Sequence, residues 1–418
     1  LLAFVIAGGL FEGLALGGLL RTGQADPLYW IESQGFSMIV LGVGARLFRW
    51  DRATVLVGFA GALSSIAILN GVAAQMVPSM AWLAIFSVMV LIVAWWLGGL
   101  GRVWRWVGMG VVFAFALAVG QEVRQASYDP ALGERTSYDP ASGKSASELA
   151  VLTGLPLFWN SDGSRATAPA IAVLEKHHRI VPVDSAEDGR LARIGRLLVA
   201  QPRLLSPQEL VALDNWVRSG GRAVILADPL LIWPMDLPPG DRRRPPVTSL
   251  LDPLLSHWGL TLEPGRAGIE RRFLSSGALL PVAGASQFVA SGPECRTVED
   301  GLMALCRIGE GEVRLVADAD LLDDRLWLAD PDRPGSRRSL SGDTVMLLER
   351  WLRAPLEGER PLADPIPWVR SDAALIRAVR WALLVGIGWI ILGVGLIWRR
   401  EKLGTEGKNR KIQDESRN

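Results

Sequence analysis

The sequence predicts an α-helical membrane region joined to an α/β domain with a doubly wound, mostly parallel sheet. Two observations carry that expectation. Long stretches without charge lie on either side of one charged, proline-rich block, a division that a soluble enzyme would not show. Inside the block, short apolar runs alternate with amphipathic stretches in the order strand, helix, strand, helix, which implies parallel strands. Of 418 residues, 50% are hydrophobic and only 21% charged, which excludes a disordered chain. The 44 lysines and arginines against 43 acids leave a charge of +1, so the sequence carries no electrostatic footprint for nucleic acid. It begins at Leu1 with no readable signal-peptide cleavage pattern, and the count of membrane stretches is taken as a minimum.

A helix crossing a hydrocarbon layer of about 30 Å needs about 20 apolar residues. Residues 1–120 hold five such stretches: Leu1 to Leu20, Gln34 to Leu47, Ala53 to Met76, Ala81 to Leu100 and Val103 to Gly120. A sixth, Trp381 to Trp398, lies near the end. Tryptophan is abundant, 17 in all, and many flank these stretches, where an amphipathic ring suits the headgroup layer. Lipid is therefore an expected partner. The basic tail at 399–418 and the loops with Arg46, Arg49 and Arg52 and with Arg102 and Arg105 fall on one side by the positive-inside rule. The block from Asp129 to Arg380 is then outside, in the periplasm of a multi-pass protein of a bacterial inner membrane. Arg21 is the one discordant residue. Gly9, Gly13 and Gly17 form a face that admits a close helix; Glu12 beside it is a functional candidate as an acid in a membrane stretch, with a structural or interfacial role as the leading reading.

Residues 121–147 read as a linker, because SYDPALGERT and SYDPASGKSA repeat in tandem and Asp-Pro with glycine favours turns. Gly143-Lys144-Ser145 resembles the end of a phosphate-binding loop, but Tyr138 stands where that loop needs its first glycine. No nucleotide site follows.

The α/β domain spans 148–355. Leu149 to Thr153 reads as a strand, Ala168 to His178 as a helix capped by Thr167, and Arg179 to Asp184 and Arg196 to Ala200 as strands. Ser206-Pro207-Gln208-Glu209 is a capping box, opening a helix with Leu210, Leu213 and Val217 on one face and Gly220-Gly221 as its stop. Ala223 to Ala227 follows as a buried strand, Ser249 to Trp258 as a helix, Phe273 to Asp318 as hairpin-type strands and Val345 to Leu352 as a closing helix. Residues 356–380 read as a second linker before the last membrane stretch at 381–398.

Three runs resemble the GldG-like family, the auxiliary membrane proteins of ABC-type export systems. They are AQPRLLSPQELVALDNWVRSGGRAVILADP (Ala200 to Pro229), LLDPLLSHWGLTLEPG (Leu250 to Gly265) and GEGEVRLVADADLLDD (Gly309 to Asp324). The resemblance implies a sheet of flavodoxin or amidotransferase type without catalytic apparatus, working beside membrane permease components and a separate ABC ATPase subunit. Two features depart from the pattern. Gly342-Asp343 stands where relatives often carry Gly-Asn, and five membrane stretches precede the domain, which points to a fused permease-like part.

Doubly wound sheets bind ligands beyond the carboxyl ends of their strands. The polar residues expected there are Asn160, Asp162, Asp184, Gln201, Asp228, Asp318 and Asp320, although such aspartates also cap helices and close turns. Asp318, Asp320, Asp323 and Asp324 lack the glycine and distal glutamate of a calcium loop, so no metal is expected. The three histidines, His177, His178 and His257, stand in no metalloprotease or cysteine-histidine pattern, and no nucleophile elbow is present. No cofactor or catalytic residue is expected. The leading reading is a non-enzymatic auxiliary or permease-fused subunit of an ABC-type exporter. A hydrolase or amidotransferase using Cys295 or Cys306 with His257, and a structural membrane scaffold, stand as alternatives.

Asp300-Gly301 is a preferred two-residue hairpin turn, and residues equidistant from it face each other. Cys295 and Cys306 are such a pair, predicting a disulfide in a compartment that permits oxidation. Counting out from Glu299 and Leu302 as the closing pair makes the cysteines a hydrogen-bonded pair.

Overall fold

The computed structural model describes residues 19–20, 22–50, 52–76, 80–99, 108, 147–160, 162–332, 339–353, 356 and 366–415. The chain forms two compact units, Leu1–Ser127 with Ile366–Asn418 and Tyr128–Pro365. Most of Leu1 to Leu20, with Gly9, Glu12, Gly13 and Gly17, lies outside the described residues, as do nearly all of Val103 to Gly120 and the tandem repeat.

The first unit is helical, with α1 (Ile31–Leu47), α2 (Arg52–Ala74), α3 (Ala81–Leu97) and a C-terminal helix (Asp372–Glu415). Two of these, Arg52–Ala74 and the Asp372–Leu396 part of the last, are long and apolar enough to cross a membrane. The 23 residues of α2 rise about 1.5 Å each, enough for a hydrocarbon core of about 30 Å. The outward faces are apolar: Trp82 and Ile92 of α3 are 66% and 61% exposed, and Ile391 of the last helix 66%. A surface of this kind is suited to an apolar surrounding rather than to water.

Small residues let these helices approach. A Cβ on Gly42 would stand 2.8 Å from the Leu91 carbonyl oxygen, so α1 and α3 pack backbone to backbone there. Gly386 and Gly393 of the C-terminal helix face Ser65 and Val57 of α2, and Trp389 Nε1 donates to Ser64 Oγ at 2.8 Å. That last helix extends beyond the stretch read from sequence. It starts at Asp372, behind Ser371 whose hydroxyl accepts from Ala374 N, and runs through the basic residues to Glu415. Arg377, Arg380, Arg399 and Arg400 do not interrupt it, because arginine is a good helix former and only its charge marks the end of the apolar span.

The second unit is α/β. Its strands are β1 (Ser147–Thr153), β2 (His178–Val183), β3 (Arg196–Ala200), β4 (Arg222–Leu226), β5 (Leu260–Leu262), β6 (Ile269–Phe273), β7 (Leu279–Ala283), β8 (Phe288–Ala290), β9 (Cys295–Val298), β10 (Met303–Ile308) and β11 (Gly311–Val316). The main sheet has the order β2-β1-β3-β4-β11-β10-β9. Its first five strands are mutually parallel, and β10 and β9 continue it antiparallel. β5 with β8 and β6 with β7 form two small antiparallel sheets.

The central strands are continuous apolar runs because both faces are covered: Leu197 to Ala200 and Ala223 to Ala227 are fully buried. Arg314, in the middle of β11, is the exception, buried with its guanidinium 5.4 Å from the Trp351 ring centre. Helices α4 (Pro169–Leu174), α5 (Pro207–Arg218), α6 (Asp252–His257), α7 (Asp324–Trp327) and α8 (Thr344–Arg353) complete the unit. The capping box that opens α5 is present, with Glu209 N donating to Ser206 Oγ and Ser206 N to Glu209 Oε2.

Three local expectations change. α4 is shorter than expected and opens at Ala168, without a side-chain cap, because His178 pairs with Ser147 at the start of β2. Pro182 is tolerated in β2 because that strand forms an edge. α6 begins only at Asp252, after Ser249 Oγ has accepted from Leu251 N. The turn between β9 and β10 is longer than two residues. The strands end at the Val298 and Met303 pair, and Glu299, Asp300 and Gly301 all take positive φ. The facing residues are those expected, but the alternation starts one pair further out. Arg307 N donates to Glu294 O, so the neighbouring Cys295 and Cys306 form a non-hydrogen-bonded pair.

Candidate functional site

Parallel register builds a buried polar cluster at the carboxyl edge of the sheet. Ala200 of β3 is level with Leu226 of β4, and Leu226 with Val316 of β11. Gln201 follows the first of these strand ends directly, and Asp228 and Asp318 stand two residues beyond the other two. Asp320 joins them from the short 3-10 turn Asp320–Leu322. All four side chains are buried. Ligand oxygens of the three aspartates lie within 4.8 Å of one another.

The partners of these groups are backbone amides. Asp228 Oδ1 accepts from Leu230 N at 2.8 Å, and its Oδ2 from Ala319 N and Asp320 N at 2.9 and 3.2 Å. Asp318 accepts from Leu321 N at 2.9 Å and from Ala283 N at 2.6 Å, while Asp320 Oδ2 accepts from Ile232 N at 2.7 Å. Gln201, held at a φ of +43°, accepts from Asp228 N and donates from Nε2 to the carbonyls of Asp228 and Pro246. The cluster therefore ties the 229–232 segment, β7 and the turn after β11 to three strand ends.

Burial raises the pKa of each carboxyl. Desolvation pushes Asp228 up against the pull of its amide donors. It pushes Asp318 well up, and the neighbouring Asp228 charge adds to the effect. Asp320 is carried from an ordinary 3.8 to about 7 by burial, with the Asp228 charge again adding. Three close carboxylates are also a donor set that a hard cation takes, and these residues fit that chemistry only through lone pairs not already turned to N–H groups.

The other expected residues lie elsewhere. Asn160 and Asp162 are exposed after β1 and bond within their own loop, Asn160 Nδ2 donating to Ser164 Oγ and Ser164 N to Asp162 Oδ1. Asp184 is exposed at the end of edge strand β2. Asp323 caps α7 and pairs with Arg325. His257 is exposed, 3.7 Å from Asp214, whose carboxyl also takes Arg218 Nε and Trp258 Nε1. Cys295 and Cys306 are joined in a disulfide, with α-carbons 4.1 Å apart.

Sequence reasoning missed two features. His178, expected at a helix end, lies in β2 and meets buried Glu349 of α8 at 2.9 Å, and Arg353 takes the other Glu349 oxygen at 2.7 Å. The amide donors to the cluster were also missed, although glycines mark their surroundings. Gly284 has a φ of +68°, and a Cβ there would run into the Leu230 carbonyl.

No curated protein matches the sequence. Among solved structures, an exo-beta-1,4-mannosidase from Opitutaceae bacterium strain TAV5 is 15% identical at a TM-score of 0.32, over 60% of this chain and 40% of that one. A cold-adapted beta-galactosidase from a Rahnella species is 12% identical at 0.29, over 62% and 36%. A cytoplasmic protein from Salmonella typhimurium LT2 is 11% identical at 0.26, over 42% and 93%. The chain thus spans well under half of the two enzymes, and TM-scores of this size do not establish a shared fold. Residues 147–271, which contain β1 to β4 with Gln201 and Asp228, match the family described as an ABC-type uncharacterized transport system, and that match supports an auxiliary protein of such a system.

Proposed function

We propose that the chain is a non-catalytic auxiliary subunit of an ABC-type export system. In this reading it is of the GldG-like kind, and its helical unit is a fused permease-like part in a bacterial inner membrane. The observation that carries this reading is the family match over 147–271, in a chain that also has two helices apolar enough to span a membrane. ATP hydrolysis then comes from a separate ABC ATPase subunit, and further permease components complete the channel. The strand order β2-β1-β3-β4-β11 supports a doubly wound sheet of flavodoxin or amidotransferase type, with the order in which strands are added reversing between β1 and β3.

The α/β unit is proposed to lie in the periplasm. Arg46 in the last turn of α1, Arg49 in the connection and Arg52 at the start of α2, with the basic residues after Trp398, agree with cytoplasmic placement of those segments. The disulfide agrees with an oxidising compartment for the α/β unit. It also argues against the thiol hydrolase alternative, because both candidate nucleophiles are consumed in the bond and neither can form a thiolate. Of the polar residues at the strand ends, exposed Asn160, Asp162 and Asp184 can reach a partner or substrate, whereas Gln201, Asp228, Asp318 and Asp320 are committed to backbone groups.

Purification of the intact protein from native membranes in mild detergent tests the reading. Stoichiometric recovery of a P-loop ATPase and a permease chain is expected. Recovery of the protein alone under conditions that preserve other transport complexes would contradict it.

A further inference from the structure

Residues 231–247 form a long loop without helix or strand that leaves and rejoins the carboxyl edge of the sheet at one place, where Leu231 N donates to Val247 O at 2.8 Å. Loops whose ends meet in this way are often functional. Its fastening is the aspartate cluster. Leu230 N is held by Asp228, Ile232 N by Asp320, and the Pro246 carbonyl by Gln201. Arg242, Arg243 and Arg244 stand in the part of the loop away from that base.

One atom of the fastening has no donor among the described residues. Asp320 is 1% exposed, and its Oδ1 is buried without a hydrogen-bond partner, while its carboxyl lies beside that of Asp228. Two adjacent buried carboxyls attract each other only when a proton sits between them, and repel when both are ionised. We propose that Asp228, Asp318 and Asp320 form a proton-held latch on the 231–247 loop. A proton shared among the three carboxyls keeps the base of the loop fastened, and its loss to solvent releases the loop.

Among the described residues, the surroundings supply no substitute for that proton. β7 and residues 229–232 bring no ionisable side chain, and Gln201 is neutral. The turn after β11 and α7 bring Asp323, Asp324 and Arg325, and Arg325 is already paired with Asp323. Asp320, raised to about 7, places the transition within a range that an extracytoplasmic compartment visits. Once Asp228 and Asp320 are both ionised, opening the loop base gives the carboxylates water in exchange for Leu230 and Ile232 N–H groups, and the cost of buried like charges is relieved. The device belongs to the α/β unit and does not depend on which transport partner binds it.

Hydrogen exchange of the full-length protein in detergent, measured from about pH 5 to about pH 8.5 and corrected for the intrinsic rate at each pH, tests the latch. Protection of peptides covering 230–247 is expected to fall by about tenfold per pH unit up to about pH 7, where opening releases one proton, and to level off above it. Asp320→Asn, whose amide can donate where the shared proton did, is expected to keep the protection of low pH throughout, and Asp228→Asn provides a second neutral variant. Protection that does not change with pH in the wild-type protein would overturn the proposal, as would a pH dependence that persists in a folded Asp320→Asn variant. Protection restored at high pH by millimolar calcium or magnesium would also overturn it, because a metal ion and not a proton would then hold the loop.

Discussion

Cys295 faces Cys306 across β9 and β10 at a non-hydrogen-bonded position, the register that brings opposed side chains closest. Both are buried, so the bond is shielded once formed. A mass spectrum of unreduced protein is expected to show one fragment linking the peptides around both residues, and two free thiols after export would refute the bond. Replacing both cysteines by alanine is expected to lower stability by up to about 3 kcal/mol, the small closed loop limiting the effect.

Ser206 and Glu209 satisfy each other's backbone amides at the start of α5. Ser206→Ala is expected to cost about 0.5–2 kcal/mol in chemical denaturation, and Ser206→Gly only a few tenths.

The acid cluster and the Glu349 pair give opposite pH dependences. Asp320 is raised on folding from 3.8 to about 7, so its contribution is fullest below about pH 4 and is lost as pH rises towards 7. Burial pushes Glu349 up, but the hydrogen bond and charge of His178 and then the charge of Arg353 bring it below its ordinary 4.5. Its contribution is therefore present above that value and lost as pH falls through the lower folded one. Thermal midpoints of the full-length protein are expected to peak on the acid side of neutrality. Asp320→Asn should flatten the alkaline limb and leave the acid limb in place. A midpoint rising steadily to pH 8 would contradict the assignment.

In the helical unit, Gly42 lets α1 meet the backbone of α3 at Leu91. Gly42→Leu is expected to cost about 1–3 kcal/mol through overpacking, read as a smaller fraction remaining monodisperse in mild detergent after heating.

The parallel half of the sheet was legible because its strands are unbroken apolar runs bounded by clear punctuation, Ser206-Pro207 before α5 and Gly220-Gly221 after it. Facing residues in the β9–β10 hairpin were legible from Asp300-Gly301. The hydrogen-bonding phase was not, because Glu299, a residue with no preference for positive φ, takes it as well. Asp228 and Asp318 could be placed at strand ends from local pattern alone. Their commitment to the amides of Leu230, Ala283 and Leu321 could not, since it depends on loops returning from distant parts of the chain. His178 was misplaced for the same reason: Glu349 on α8 creates the environment in which a buried imidazole is tolerated, as Trp351 on that helix does for the buried cation of Arg314.

The measurement that tests the account most directly is a pair of fusions to a reporter active only outside the cytoplasm, one joined near Ser142 and one after Asn418. Activity at the first position and silence at the second is the predicted result, with the α/β unit in the periplasm and the basic tail inside. Silence near Ser142 with activity after Asn418 would contradict it and would place the α/β unit among cytosolic proteins.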